Sequence, residues 1–218
     1  MTNFDHGSAD NICLEGIERE KKLDKKLVIL AASLGGPTLV NDILSSLAPS
    51  FDLPLLVLQQ MESDFSEPLT SAWGKTAAIR LLRLGDEMNI REGSAYVIPY
   101  GIYPCFEGSG PSLSVRPAAL KDGNDFSRQW NMVIQECVRK FGGSLILILL
   151  NDSLLDPGLI NFSLKSVAEA GGTIIRCYEN DRADGRMNEN DNEGYLQMEI
   201  DQIIVYLQKI SGGKYIPV

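Results

Sequence analysis

The chain has 218 residues, of which 44% are hydrophobic and 22% are charged, which is ordinary for a globular protein with a sizeable core. Its formal net charge of −9 argues against nucleic acid or an anionic membrane surface as the main partner. The sequence has no apolar run long enough to span a bilayer, and its polar start, MTNFDHGSAD, does not resemble a signal peptide. We therefore expect a cytoplasmic protein without membrane insertion.

Cysteine and histidine usage limits the chemistry that we expect. The four cysteines, Cys13, Cys105, Cys137 and Cys177, are scattered and form no CxxC pair, so we expect reduced thiols, no metal site and no cofactor. The single histidine, His6, lies in the polar start of the chain. A mechanism that needs an imidazole base must therefore recruit this segment or work without one. We favour the second alternative, because terminal segments are commonly disordered.

The first 25 residues are polar and rich in charge, which is typical of a disordered lead-in, a short helix or a linker. A docking arm is the less favoured alternative. We divide the chain into this N-terminal tail or linker, residues 1–25, and one folded domain, residues 26–218.

The folded domain opens with an apolar run, Leu27–Ala32, that leads into Ser33, two glycines and a proline. Apolar residues then recur at helical spacing: Leu39, Val40, Ile43, Leu44 and Leu47. The pattern predicts a buried strand, a tight turn and an amphipathic helix. Ser33 is thereby placed at the carboxyl end of a strand, beside the free N–H groups of a helix start. In an open α/β sheet, ligands bind at this end of the strands.

Predicted strands and helices alternate through most of the remaining chain. Further strands are predicted at Pro54–Gln59, Ala77–Leu82, Leu145–Leu150 and Thr173–Cys177, and helices are predicted after residue 61, from 126 to 141, before Gly171 and from 200 to 210. Three short β-prone runs, Ala95–Ile98, Ile102–Phe106 and Leu113–Val115, are punctuated by Gly and Pro and predict an antiparallel hairpin or meander. The expected fold is α/β, a doubly wound, mostly parallel sheet with helices on both faces and a small antiparallel hairpin appended.

Residues 179–194 form an acidic stretch that we interpret as a long solvated loop. They concentrate Asp, Asn and Glu, but they lack the spacing of an EF-hand calcium loop. A calcium site is therefore the less favoured alternative.

Four stretches together resemble the catalytic domain of the CheB-type chemotaxis methylesterases, over about residues 26–178. AASLGGP at 31–37 resembles the family's ASTGGP turn, and Gln59–Met61 stands where the family has Gln-His-Met. GDEMNIREGSAYVIPYG at 85–101 is similar to the family's GD…L.PG.VYIAPG stretch. LILLNDSLLDPG at 147–158 aligns without gaps on VILTGMGxDG, which places Asp156 on the family's aspartate.

In the family, a serine attacks a glutamate methyl ester on a chemoreceptor, a histidine acts as its base, and an aspartate orients the histidine. The resemblance places the nucleophile at Ser33, the histidine position at Gln60 and the aspartate position at Asp156. It assigns the turn that holds the oxyanion to Leu34, Gly35 and Gly36. It also places Met61 in the pocket. A receiver domain precedes the esterase domain in the family, and we expect 25 residues to be too few to form one.

The departures from the family pattern predict a disabled esterase site. The neutral amide of Gln60 cannot take a proton from a serine hydroxyl. The glycines of the family's aspartate loop are replaced at 151–157 by residues with side chains and a proline, which restrict the backbone.

Our preferred hypothesis is therefore a binding protein of a chemosensory pathway. Its expected partner is a chemoreceptor or another signalling protein, including a separate receiver-domain protein. One competing hypothesis is a weak protein-glutamate methylesterase or deamidase that uses Ser33. Another is a small-anion or nucleotide binder at the Ser33 turn.

Overall fold

The computed structural model describes residues 26–120, 125–151, 156–178 and 195–212. The strands in these ranges are β1 (Leu27–Ala32), β2 (Leu55–Gln59), β3 (Arg80–Arg83), β4 (Met88–Asn89), β5 (Ser94–Val97), β6 (Ile102–Glu107), β7 (Ser114–Ala119), β8 (Leu145–Asn151), β9 (Thr173–Cys177) and β10 (Leu196–Met198). The helices are α1 (Pro37–Ser46), α2 (Ser66–Thr76), α3 (Phe126–Phe141), α4 (Pro157–Glu169) and α5 (Ile200–Ile210). The proposed tail and the acidic stretch 179–194 lie outside the described residues.

The main sheet has seven strands in the order β10-β9-β8-β1-β2-β5-β3, and every neighbouring pair is parallel. The central strand β1 is buried along its whole length, because both faces of the sheet are covered. Alternate residues of β1 pack into two cores, one with α3 and α4 and the other with α1, α2 and α5. The predicted doubly wound sheet with helices on both faces is confirmed.

A smaller sheet of three antiparallel strands, in the order β4-β7-β6, packs on the face that carries α3 and α4. It contains two of the three runs predicted for the hairpin, those that begin at Ile102 and Leu113. The prediction is wrong for Ala95–Ile98, because β5 lies in the main sheet between β2 and β3. The flanking Gly and Pro residues resemble those of a meander, whereas the complete burial of β5 is typical of an inner parallel strand.

The order of the strands creates a topological switch point beside β1. From β1 the chain passes through α1, on one face of the sheet, to β2, and from β8 it passes through α4, on the opposite face, to β9. The connections that leave β1 and β8 therefore diverge and open a crevice at the carboxyl ends of these strands. Such crevices are the usual ligand sites of open α/β sheets.

Two described cysteines, Cys137 and Cys177, are free thiols, as expected. Burial, with a smaller contribution from Glu136, raises the pKa of the Cys137 thiol well above its ordinary value, so this thiol behaves as a core hydrophobe.

The described residues lack two further features. None of their helices combines the length and the apolar character that crossing a membrane requires. Within the same ranges, no three His, Cys, Asp or Glu side chains are grouped so that they could hold a metal ion.

Candidate functional site

Ser33 lies directly after β1 in the switch-point crevice, and its side chain is fully buried. Its hydroxyl donates a hydrogen bond of 3.0 Å to Oδ1 of Asn151, the last residue of β8. Its backbone N–H donates to the carbonyl oxygen of Asn151 at 2.8 Å, and Nδ2 of Asn151 donates to the carbonyl oxygen of Leu34 at 3.3 Å. Asn151 thus holds the Ser33 turn through three hydrogen bonds, and the serine proton points to a neutral amide.

Two glutamines at the end of β2 form the other wall of the crevice. Nε2 of Gln59 donates to the carbonyl oxygens of Ser33 at 2.8 Å and Gln60 at 2.9 Å. The backbone N–H of Gln60 donates to the carbonyl oxygen of Ala32 at 2.8 Å, which places Gln60 next to the strand that carries the serine. Its side-chain oxygen, Oε1, is buried and has no hydrogen-bond partner among the described residues. The residue in the histidine position is therefore close to the turn but makes no hydrogen bond to the serine hydroxyl.

The turn between Ser33 and α1 depends on its two glycines. Gly35 has a φ of +94°, which disfavours residues with a side chain. Gly36 donates its N–H to the carbonyl oxygen of Ser33 at 3.1 Å, and it precedes Pro37 at the start of α1. Helix α1 has no side-chain cap, and its first residue, Pro37, has no N–H. Leu34, at the tip of the turn, is 54% exposed.

The remaining two predicted residues do not join this arrangement. Asp156 is exposed and caps α4, since its carboxylate accepts the Leu159 N–H at 2.9 Å. Within the described residues it makes no hydrogen bond to Gln60 or Ser33. Met61 is buried in the core that contains α1 and α2 and is not part of an open pocket. The structure thus brings together Ser33, Gln60 and the turn, and it gives Asp156 a helix-capping role.

Sequence reasoning did not single out Asn151 and Gln59 as site residues. Each is a polar residue that ends an otherwise apolar strand next to β1, and this pattern was a usable signal. With them, the polar side chains that the described residues place in the crevice are one hydroxyl and three amides. None of these groups acts as a general base near neutral pH, so nothing among them activates the serine as a nucleophile.

Comparison with known proteins supports the resemblance in the sequence. The model of the CheB methylesterase family matches residues 28–200. The chain belongs to the CheB methylesterase family. Among solved structures, the CheB methylesterase catalytic domain of Thermotoga maritima is similar in fold, with a TM-score of 0.69 at 18% identity over 86% of this chain and 100% of that one.

Two curated relatives are proteins that are longer than this chain. A protein-glutamate methylesterase/protein-glutamine glutaminase of Carboxydothermus hydrogenoformans is 26% identical over 157 residues, which are 71% of this chain and 45% of the relative. The protein-glutamate methylesterase FrzG of Myxococcus xanthus is 27% identical over 150 residues, which are 68% of this chain and 43% of the relative. The chain therefore spans less than half the length of these relatives.

Proposed function

We propose that the chain is a CheB-family protein of a chemosensory pathway that has lost esterase turnover and acts by binding. Its partner in this proposal is a chemoreceptor or another signalling protein, which includes a separate receiver-domain protein. Residues 26–218 form the binding domain and residues 1–25 form a tail or linker. The protein acts in the cytoplasm, where the signalling ends of chemoreceptors lie.

The hydrogen bond from the Ser33 hydroxyl to Oδ1 of Asn151 carries this proposal. A serine becomes a useful nucleophile when a neighbouring base accepts its proton, and an amide oxygen cannot do so. The residue in the histidine position, Gln60, is also an amide, and Asp156 is engaged in capping α4. Serine proteases that lose a triad member retain about 10³–10⁴-fold catalysis over water, which is far below working turnover.

We expect the unmodified protein to release no more methanol from a methylated chemoreceptor than its Ser33→Ala variant does. The reason is that the serine contributes no activated nucleophile in this site. The measurement is methanol release from receptor carrying glutamate methyl esters, with an active CheB methylesterase as the positive control. Turnover that disappears in the Ser33→Ala variant would instead support the competing hypothesis of a weak methylesterase.

The exposed Leu34 side chain is the first surface contact that we propose for a partner. It projects from the tip of the turn, where three hydrogen bonds to Asn151 hold the backbone that carries it. An exposed apolar side chain on a backbone held in this way is suited to binding, because little backbone freedom is lost on association.

Leu34→Ala is expected to weaken binding to a receptor signalling fragment about tenfold, as loss of a well-packed interface side chain does. The matched control is Leu196→Ala on the edge strand β10, which removes a leucine that is 45% exposed and lies away from the crevice. Isothermal titration calorimetry measures both affinities. Equal losses in the two variants, or an unchanged affinity in Leu34→Ala, would contradict docking through the Ser33 face.

A further inference from the structure

A second concave feature lies at the end of the main-sheet strands opposite to the end that carries Ser33. It is a pocket of about 230 Å³ between the main sheet and the small sheet, with Pro54, Ile90, Arg91, Pro111, Leu113 and Phe141 in its lining. Pro54 precedes β2 and Phe141 ends the helix before β8, so the pocket lies at the amino ends of the strands. The Ser33 crevice lies at their carboxyl ends. The length of β2, about 16 Å, separates the two places.

The floor of this pocket is apolar and firmly held. Leu113 and Phe141 are buried, and the Phe141 ring packs edge-to-face on Phe106 with the ring centres 5.2 Å apart. The Ile90 N–H donates to the carbonyl oxygen of Leu113 at 2.9 Å, which ties the wall of the pocket to its floor. A floor built in this way keeps its shape without a ligand, and so little ordering cost opposes binding.

One hydroxyl fixes the wall that contains Arg91. The Tyr96 hydroxyl accepts the Arg91 N–H at 2.8 Å and donates to the carbonyl oxygen of Asn89 at 3.1 Å. The wall then passes through Gly93, which has a φ of +64° and where a Cβ would lie 2.8 Å from the carbonyl oxygen of Phe51. Tyr96 and Gly93 belong to the family-like stretch 85–101, so this stretch builds the pocket wall and not the Ser33 site.

The pocket lining contains one cation, Arg91, and one anion, Glu92. The Arg91 side chain is exposed, and within the described residues its guanidinium makes no ion pair and no hydrogen bond. Its neighbour Glu92, also in the lining, already has an interaction of its own. A guanidinium presents a planar fork of donors that matches a carboxylate. A fixed apolar floor below such a fork fits a ligand with a compact apolar body and a carboxylate at one end.

We propose that this pocket binds a small carboxylic acid with a branched-aliphatic or single-ring body. The carboxylate pairs with Arg91, and the body lies on Leu113 and Phe141. The pocket accepts its ligand independently of any chemistry at Ser33, because the two sites lie at opposite ends of the sheet strands.

The test is a titration of the isotope-labelled full chain with phenylacetate, followed by two-dimensional NMR of the backbone amides. Phenylacetamide, which has the same shape without the charge, is the matched ligand control. Arg91→Gln removes the proposed partner at an exposed position, so the fold is expected to survive. Lys75→Gln removes an exposed cation from α2, which packs on the face of the main sheet opposite the small sheet, and controls for the change in net charge.

Saturable shifts centred on residues 90–93 and 110–113 are expected with phenylacetate. Arg91→Gln is expected to weaken this binding about tenfold, while Lys75→Gln leaves it unchanged. Phenylacetamide is expected to bind about tenfold more weakly than phenylacetate. The absence of saturable shifts at millimolar ligand, or shifts centred elsewhere, would overturn the proposal. So would equal affinities of the unmodified chain for phenylacetate and phenylacetamide, or equal affinities of Arg91→Gln and the unmodified chain for phenylacetate.

Discussion

Replacing Gly36 by alanine is expected to lower the free energy of unfolding by about 3 kcal/mol, as overpacking of a well-filled site does. A Cβ at this position would overlap the Cβ of Ala32 and would lie 3.1 Å from both Oε1 of Gln59 and the carbonyl oxygen of Ser33. Ala32 is in the central strand and Gln59 is buried, so neither can move without disturbing the sheet. The expected loss of stability is steric and not conformational, because alanine easily adopts the backbone angles of Gly36, φ −78° and ψ −12°.

Gly74 offers the matched control for this substitution. It lies inside α2, and a Cβ added there meets nothing within 4 Å. Gly74→Ala is therefore expected to raise the free energy of unfolding by about 0.5–1 kcal/mol, the usual gain of alanine over glycine in a helix. Urea unfolding of both variants gives the comparison. Similar stabilities for the two would mean that the turn yields easily and that its close packing is not needed for the fold.

The layout of the sheet around Ser33 was predictable from the sequence because both of its signals are local. Strand β1 is covered on both faces, so it appears in the sequence as an unbroken apolar run, and the structure gives it the predicted bounds, Leu27–Ala32. The glycines and proline after Ser33 mark the turn, and apolar spacing marks α1. The same reasoning applies to α3, whose buried stripe gives a helix from Phe126 to Phe141.

The features that we did not predict from the sequence depend on which strands become neighbours in the sheet. A local pattern cannot show that β5 pairs with β2 and β3, since a short buried strand has the same composition in a meander. Nor can it show that β8 lies beside β1, which is what brings Asn151 to the Ser33 hydroxyl. The alignment places Asp156 on the family's aspartate, and the structure adds that Pro157 begins α4 with Asp156 as its cap.

If esterase turnover is lost as proposed, the hydrogen bond between Ser33 and Asn151 predicts that adding a base alone gives little activity. Gln60→His supplies an imidazole next to β1, but the serine hydroxyl still donates to Oδ1 of Asn151. Asn151→Thr, which introduces the residue of the aligned family stretch, removes that acceptor. It also removes the Nδ2 donor to Leu34, and it keeps the backbone carbonyl that accepts the Ser33 N–H.

Gln60→His alone is expected to raise methanol release from a methylated chemoreceptor by less than about tenfold, whereas Gln60→His combined with Asn151→Thr is expected to raise it about 10²-fold. The second value is the lower end of what a positioned general base contributes, since Asp156 caps α4 and does not orient the new histidine. Adding Ser33→Ala to the double variant must abolish the gain, which separates serine chemistry from hydrolysis by the imidazole itself. If the single and double variants gain equally, Asn151 does not restrain the serine, and the proposed inactivity depends on the missing base alone.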